Sequence, residues 1–353
     1  MARRAFVVVA TLGLLAAIAA PASARNVNAD NLYGVHYLWS DVPGLAAGTD
    51  SSLVNGWGIV ASPTSPWWVS NNGTSTSTLY NGATGAKLGL TVTVPGAPTG
   101  IVWNGSAADF KVQVGTADPA ASRFIFATDD GQIAGWNGQG TAAISAATTP
   151  DAVDLGLAIG STGGANYLYA ANFAGARVDV FNGAFGAATL AGDFTDPGLP
   201  DGYAPFGIRN LGGEIFVAYA KQNEDGDEEV AGEGLGVVDA FGTDGTFHGR
   251  VATGGELNAP WGLAMAPSTF GKFSGDLLVG NFGDGRIHAY GWNGSSWEER
   301  GVIKGEDHRP IAIDGLWGIS FGNNAGAGPA STLFFAAGPD EERHGLFGSI
   351  TAP

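Results

Sequence analysis

Six times along this chain a glycine followed by Ile or Leu opens a short apolar run: Gly58-Ile59, Gly100-Ile101, Gly156-Leu157, Gly207-Ile208, Gly262-Leu263 and Gly318-Ile319. The repeats stand roughly 50 residues apart, and a second apolar run ending in a polar turn follows each of them. A β-rich unit recurring at this period cannot bury its apolar face alone and must stack it against copies of itself, which is the signature of a propeller.

The segments between the repeats fit that architecture. The 58 glycines are concentrated at turns, with Asn-Gly and Asp-Gly pairs at Asn81-Gly82, Asp130-Gly131, Asn182-Gly183, Asp244-Gly245 and Asp284-Gly285 among others. Such pairs take up the positive φ angles of tight hairpins. Between them lie β-type runs such as Trp67-Trp68-Val69-Ser70, Arg123-Phe124-Ile125-Phe126-Ala127 and Leu333-Phe334-Phe335-Ala336-Ala337. No mature segment shows a capped amphipathic helix. The expected fold is all-β: a six-bladed β-propeller with four-stranded antiparallel blades, occupying residues 25–353 as one domain. The sixth unit runs out at Gly348-Ser349-Ile350, so its outermost strand is expected from the N-terminal segment Tyr33 to Trp39, which closes the ring. A ring closed on itself is expected to be monomeric.

Residues 1–24 read as a cleaved signal peptide: Arg3 and Arg4, an apolar stretch from Ala5 to Ala20, and a small-x-small site at Ala22-Ser23-Ala24. The Arg pair loosely resembles a twin-arginine signal, but so strong an apolar run favours the general secretory route. Either route places the mature protein in an extracytoplasmic, secreted or periplasmic setting, with no membrane span after cleavage. There is no cysteine, so the stability of the fold must come from its core. With 33 Asp and Glu against 16 Lys and Arg, the formal net charge is −17, and loss of the leader makes it more negative still. That charge disfavours nucleic acid and anionic membranes and leaves cations as natural counter-partners.

The chain resembles a family of uncharacterised exported bacterial propeller proteins, some of whose members carry a C-terminal sorting tail. The resemblance runs almost end to end. It rests on Trp39-Ser40-Asp41-Val42-Pro43-Gly44, Leu53-Val54-Asn55-Gly56-Trp57-Gly58-Ile59, Asn258-Ala259-Pro260-Trp261-Gly262-Leu263 and His344-Gly345-Leu346-Phe347-Gly348-Ser349-Ile350, with further matching stretches between. Gly56 stands where that family favours Pro. More loosely, the repeats are similar to NHL and gluconolactonase-like propellers. The resemblance implies the fold and export, and no known activity.

In a propeller, the turn after the second strand and the start of the first strand lie on one face, around the channel. Asn55, Asp129, Asp154, Asn172 and Asn281 fall at such positions, with Asn71-Asn72 and Asp130 beside them. Converging oxygens from several blades suit Ca²⁺, which takes six to eight of them. The same residues are also ordinary turn formers that bond nearby backbone. The gluconolactonase-like enzymes use a comparable cation to polarise a carbonyl. Trp57, Trp261 and Trp317 share one repeat position, with Phe206 there in repeat four. They are candidates for an aromatic ligand platform, although packing between adjacent blades is the commoner role of a bulky ring before glycine.

Other features carry less. The acidic run Asn223 to Glu229 lacks EF-hand spacing and reads as a hairpin insertion in blade four. Gly318-Ile319-Ser320-Phe321-Gly322 matches a serine-hydrolase pattern, yet Ser320 aligns with Val60 and Ala264 inside a repeat strand rather than at a strand-to-helix elbow. His36, His248, His288, His308 and His344 show no metal spacing. The sequons at Asn72, Asn104 and Asn293 read as hairpin turns. Two functions stay open: a non-catalytic binding or scaffold module for an extracytoplasmic ligand or protein, and a Ca²⁺-dependent hydrolase or lactonase at the channel.

Overall fold

Each turn-bounded apolar run becomes a strand of a small sheet, and six sheets stand around one axis. The structure is a computed structural model describing residues 32–352, so the signal peptide expected over residues 1–24 lies outside the described residues. The innermost strands of blades 1 to 6 are Gly56–Val60, Pro98–Trp103, Asp154–Thr162, Tyr203–Leu211, Pro260–Met265 and Leu316–Phe321. Each pairs antiparallel with the strand that follows it in its blade, and the blades continue outward in the same sense. Among the described residues, no helix is long and apolar enough to cross a membrane.

The ring closes as the sequence pattern expects. Gly34–Ser40 is the fourth strand of blade 6, antiparallel to Leu346–Thr351, with Gly34 opposite Thr351 and Ser40 opposite Leu346. Just ahead of this strand, Tyr33 is buried and donates its hydroxyl to the Phe270 carbonyl in blade 5, 3.1 Å away. The first described residues thus fasten two blades together. Three blades depart from the four-strand expectation. In blade 6 the two-residue strand Gly48–Thr49 adds a fifth, parallel to the end of Gly34–Ser40. Blade 3 has three strands. Beyond Asn182 its chain returns to the third strand by an isolated bridge, Ala187 to Phe181, and inserts Phe185 and Phe194 into the core. Blade 4 gains a short extra strand, Glu229–Val230, paired with Lys221 and Gln222.

The repeating glycine has a steric cause. A Cβ on Gly100 would lie 2.2 Å from the Leu157 nitrogen, and one on Gly207 would lie 2.2 Å from the Trp261 carbonyl oxygen. On Gly58, Gly262 and Gly318 it would lie 2.6 Å from the carbonyls of Thr99, Trp317 and Trp57; on Gly156 the nearest atom, Ile208 N, is 3.2 Å away. Every one of these atoms belongs to the innermost strand of the next blade, with blade 6 meeting blade 1. The innermost strands approach one another backbone to backbone, and a side chain at the glycine position would push the blades apart.

Candidate functional site

The glycine ring divides the axial channel. On the upper side, where the innermost strands begin, the residues just before the glycines point inward and fill the axis. Trp57 and Trp317 stack with centroids 3.6 Å apart, and Trp261 meets both edge-on at 6.2 and 5.8 Å. Phe282 stacks on the other side of Trp317 at 4.1 Å, and Phe206 leans on it at 5.6 Å. Trp57, Trp261 and Trp317 are 6, 8 and 1% exposed, so their ring faces are taken up by one another and by these phenylalanines. Two indoles are anchored: Trp261 Nε1 donates to the Leu155 carbonyl at 2.9 Å, and Trp317 Nε1 donates to Asn55 Oδ1 at 3.1 Å. Trp57 Nε1 is buried without a hydrogen-bond partner among the described residues.

Below the plug the channel opens into a recess of about 240 Å³. Its walls are innermost strands of blades 1 to 5 from the glycine onward, and Trp261 is part of its floor. Two residues after the glycine the six blades carry Val60, Val102, Ala158, Arg209, Ala264 and Ser320. Arg209 is the one charged member of that set. Its guanidinium reaches from blade 4 to blade 6, where it donates to Ser320 Oγ at 2.7 Å and to the Ile319 carbonyl at 3.3 Å. Burial lowers its pKa to about 10, so it stays charged at neutral pH, and no carboxylate lines the recess beside it.

The predicted cation ligands stand at the other, upper end, and the structure engages three of their side-chain oxygens in hydrogen bonds. Asn55 Oδ1 receives Trp317 Nε1, while its amide donates to Glu342 Oε2 at 2.5 Å. Asp129 Oδ2 receives the Asn72 amide at 3.2 Å, and burial raises its pKa. Asn172 Oδ1 receives the Gly175 N–H at 2.8 Å, and its amide donates to Asp179 at 2.7 Å. Asn281 donates to the Glu256 carbonyl at 2.8 Å and leaves its buried Oδ1 without a partner. Asp154 differs from the rest. It is fully buried, and neither carboxylate oxygen has a hydrogen-bond partner among the described residues. Burial pushes its pKa up to about 7, Asp179 adding to the rise and Arg177 opposing it. Among the described residues, no three His, Cys, Asp or Glu side chains converge as a metal-binding group.

Two further features border the upper mouth. The acidic run forms a hairpin loop in blade 4: Asn223 Oδ1 accepts the Gly226 N–H at 2.7 Å, and Gln222 Nε2 reaches across to the Phe173 carbonyl at 2.8 Å. Glu229 at its base has a pKa raised to about 7, first by burial and then by the charges of Glu342 and Glu228. In blade 6, Asp340, Glu341 and Glu342 take left-handed φ values of 60, 55 and 62° in succession, and this turn delivers the Glu342 carboxylate to Asn55. His344 follows, with Nδ1 2.8 Å from Asp41 Oδ2. Neither Arg209 nor Glu342 was singled out by sequence reasoning. The signal for Arg209 was available, as a lone charge at an otherwise uncharged repeat position. Glu342 gave none, because it sits in a loop outside the repeat pattern.

No protein-family model matches the chain. Among curated proteins, it is 33% identical over 337 residues to the uncharacterised protein R648 of Acanthamoeba polyphaga mimivirus, covering 90% of this chain and 79% of that one. It is 32% identical over 333 residues to the uncharacterised protein L690 of the same virus, covering 90 and 85%. These relatives are viral, where the sequence resemblance points to bacterial exported proteins. Among solved structures, a structural genomics protein of unknown function from Bacteroides thetaiotaomicron superposes with a TM-score of 0.58 at 10% identity, covering 90% of this chain and 76% of that one. That likeness concerns the fold alone. At the identity and coverage of the two viral relatives, the chain belongs to the same family as R648 and L690, of which it is a six-bladed propeller member.

Proposed function

We propose that this propeller is a non-catalytic binding module, acting outside the cytoplasm, whose ligand enters the lower end of the axial channel. The observation that carries this reading is the recess itself. It is an apolar-walled cavity on the axis, floored by the aromatic plug, and Arg209 is the one ionisable side chain in its lining. Such a lining can hold a small molecule, but it offers no group that takes or gives a proton near neutral pH, which general acid–base chemistry requires. The extracytoplasmic setting is supported by the leader-like segment at residues 1–24. The test is a small-molecule screen by thermal shift on the wild-type protein and on Val60→Trp, which fills the recess from a half-buried wall position. Compounds that raise the wild-type melting temperature and not that of Val60→Trp support the reading. Hits that stabilise both proteins alike place binding elsewhere and overturn it.

A second reading is favoured by one observation, the unengaged oxygens of Asp154. A Ca²⁺ ion at the upper end, with Asp154 as an anionic ligand, would satisfy them and supply a Lewis acid for hydrolysis of a lactone or ester. Asn281 Oδ1 is a further predicted ligand atom left free, whereas Asn55 Oδ1, Asp129 Oδ2 and Asn172 Oδ1 already accept hydrogen bonds. This reading expects the melting temperature to rise with Ca²⁺, to fall with EDTA and to respond to neither in Asp154→Asn. Identical melting of the wild-type protein in all three conditions removes it.

A further inference from the structure

We propose that the lower recess is an anion site and that its ligand is a small monocarboxylate with a compact apolar body, gripped by Arg209. The inference rests on the reading of the recess as a ligand site and adds the class of ligand. Three observations lead to it. The first is the placement of the charge. At the repeat position of Arg209 the other blades carry Val60, Val102, Ala158, Ala264 and Ser320, so one cation stands in a ring of otherwise uncharged side chains. In a chain with about twice as many acidic as basic residues, no acid lines this cavity.

The second is what the guanidinium does. A half-buried guanidinium in a recess lined by no carboxylate leaves its charge uncompensated there, which folding alone disfavours. Arg209 spends one donor on Ser320 Oγ and one on the Ile319 carbonyl, and these two bonds fix its direction across the channel. Among the described residues, the remaining N–H groups of its planar fork make no hydrogen bond, and such a fork matches the two oxygens of a carboxylate. Ser320, which the sequence pattern makes look like a hydrolase nucleophile, here positions the arginine.

The third is size and polarity. A cavity of about 240 Å³ between Ile, Val, Leu and Trp side chains takes a small apolar body. A single fixed positive charge balances a single negative one. A doubly charged phosphate would remain half compensated in the same apolar surroundings, so the geometry favours a carboxylate.

The experiment is saturation-transfer and ¹⁹F NMR with matched acids and amides on the intact protein: isobutyrate, cyclohexanecarboxylate and 4-fluorobenzoate, each beside its primary amide. Acid and amide share shape and differ in charge. On the wild-type protein at least one acid is expected to bind tenfold or more tightly than its amide, because a charge-assisted bond is worth more than a neutral one. Arg209→Met should remove that preference, and Val60→Trp should weaken acid and amide together. If acids and amides bind equally and Val60→Trp blocks both, the recess is a ligand site and the anion inference is wrong. If nothing binds, or Val60→Trp changes nothing, the ligand-site reading fails with it. The acid–amide comparison is made on the wild-type protein, so it decides the matter even if Arg209→Met folds poorly.

Discussion

Asn55 Oδ1 accepts the Nε1–H of Trp317 at 3.1 Å, so a polar turn residue of blade 1 holds the most buried indole of the axial plug, which blade 6 contributes. The same carboxamide donates to Glu342, and its backbone is left-handed with φ of 49°. Asn tolerates that conformation better than other non-glycine residues. Asn55→Ala therefore loses on three counts: an orphaned buried indole N–H, an orphaned Glu342 carboxylate, and a strained alanine. We expect a loss of about 2–4 kcal/mol in urea unfolding. Asn55→Gly relieves the backbone part and should lose about 1 kcal/mol less than Asn55→Ala. Equal losses for the two variants would show that the backbone conformation contributes nothing.

The glycine ring makes a ranked prediction. An alanine Cβ at Gly207 or Gly100 would sit 2.2 Å from backbone atoms of the next blade, whereas at Gly156 the nearest atom is 3.2 Å away. Backbone cannot rotate aside as a side chain can, so the first two substitutions must separate adjacent blades. Gly207→Ala and Gly100→Ala are expected to cost about 3 kcal/mol or more, and Gly156→Ala about 1 kcal/mol. Thermal melts of the three variants check the order. A Gly156→Ala variant as damaged as Gly207→Ala would mean that the blades are not in contact as described.

The glycine ring also shows why the fold was legible in the sequence. A steric demand imposed once per blade must recur with the period of the blades, so Gly58, Gly100, Gly156, Gly207, Gly262 and Gly318 carry the architecture openly. The closing strand was legible for a related reason, since a last unit short of one strand needs Gly34–Ser40. Blade 3 escaped, because Phe185 and Phe194 look like strand residues and are instead anchors of a turning segment. The site was less legible. Its residues depart from the repeat: Arg209 breaks the pattern of its ring, and Glu342 reaches Asn55 from 287 residues away along the chain. The shared position of Trp57, Trp261 and Trp317 predicted that they point the same way, but not that they stack on one another across the axis.

Asp154 gives stability a pH dependence. Its carboxyl rises from 3.8 in the ordinary state to about 7 in the fold, with burial as the first cause. Between those values the folded chain holds a proton that the unfolded chain has released, so the stabilisation is complete below about pH 4 and lost as pH climbs to about 7. The slope from this group approaches about 1.4 kcal/mol per pH unit within the window. Glu229, raised from 4.5 to about 7, acts in the same direction but is half-buried and contributes less. Urea unfolding in chelator should give higher stability at about pH 5 than at about pH 8, and Asp154→Asn should shrink the difference. A wild-type protein more stable at the higher pH would contradict the assignment.

The left-handed turn at Asp340-Glu341-Glu342 allows a stabilising substitution to be predicted. Three consecutive non-glycine residues with φ of 60, 55 and 62° each carry a steric cost between Cβ and the following carbonyl, roughly 1 kcal/mol apiece. The turn is held by the Glu342 N–H on the Gly338 carbonyl at 3.1 Å and by the Asp340 N–H on Asp314 at 2.8 Å. Within it Glu341 has a side chain 90% exposed, whose one close charge contact is Arg343 at 3.8 Å. Glu341→Gly should therefore remove strain without losing packing, raising stability by about 0.5–1 kcal/mol after the entropy of the added glycine is deducted. Glu342→Gly removes the same strain but also the carboxylate that receives the Asn55 amide, so it should be neutral or destabilising. Chemical unfolding of the two variants separates backbone strain from side-chain bonding. If both gain equally, the Glu342–Asn55 hydrogen bond contributes nothing, and the turn is strained for some purpose other than placing that carboxylate.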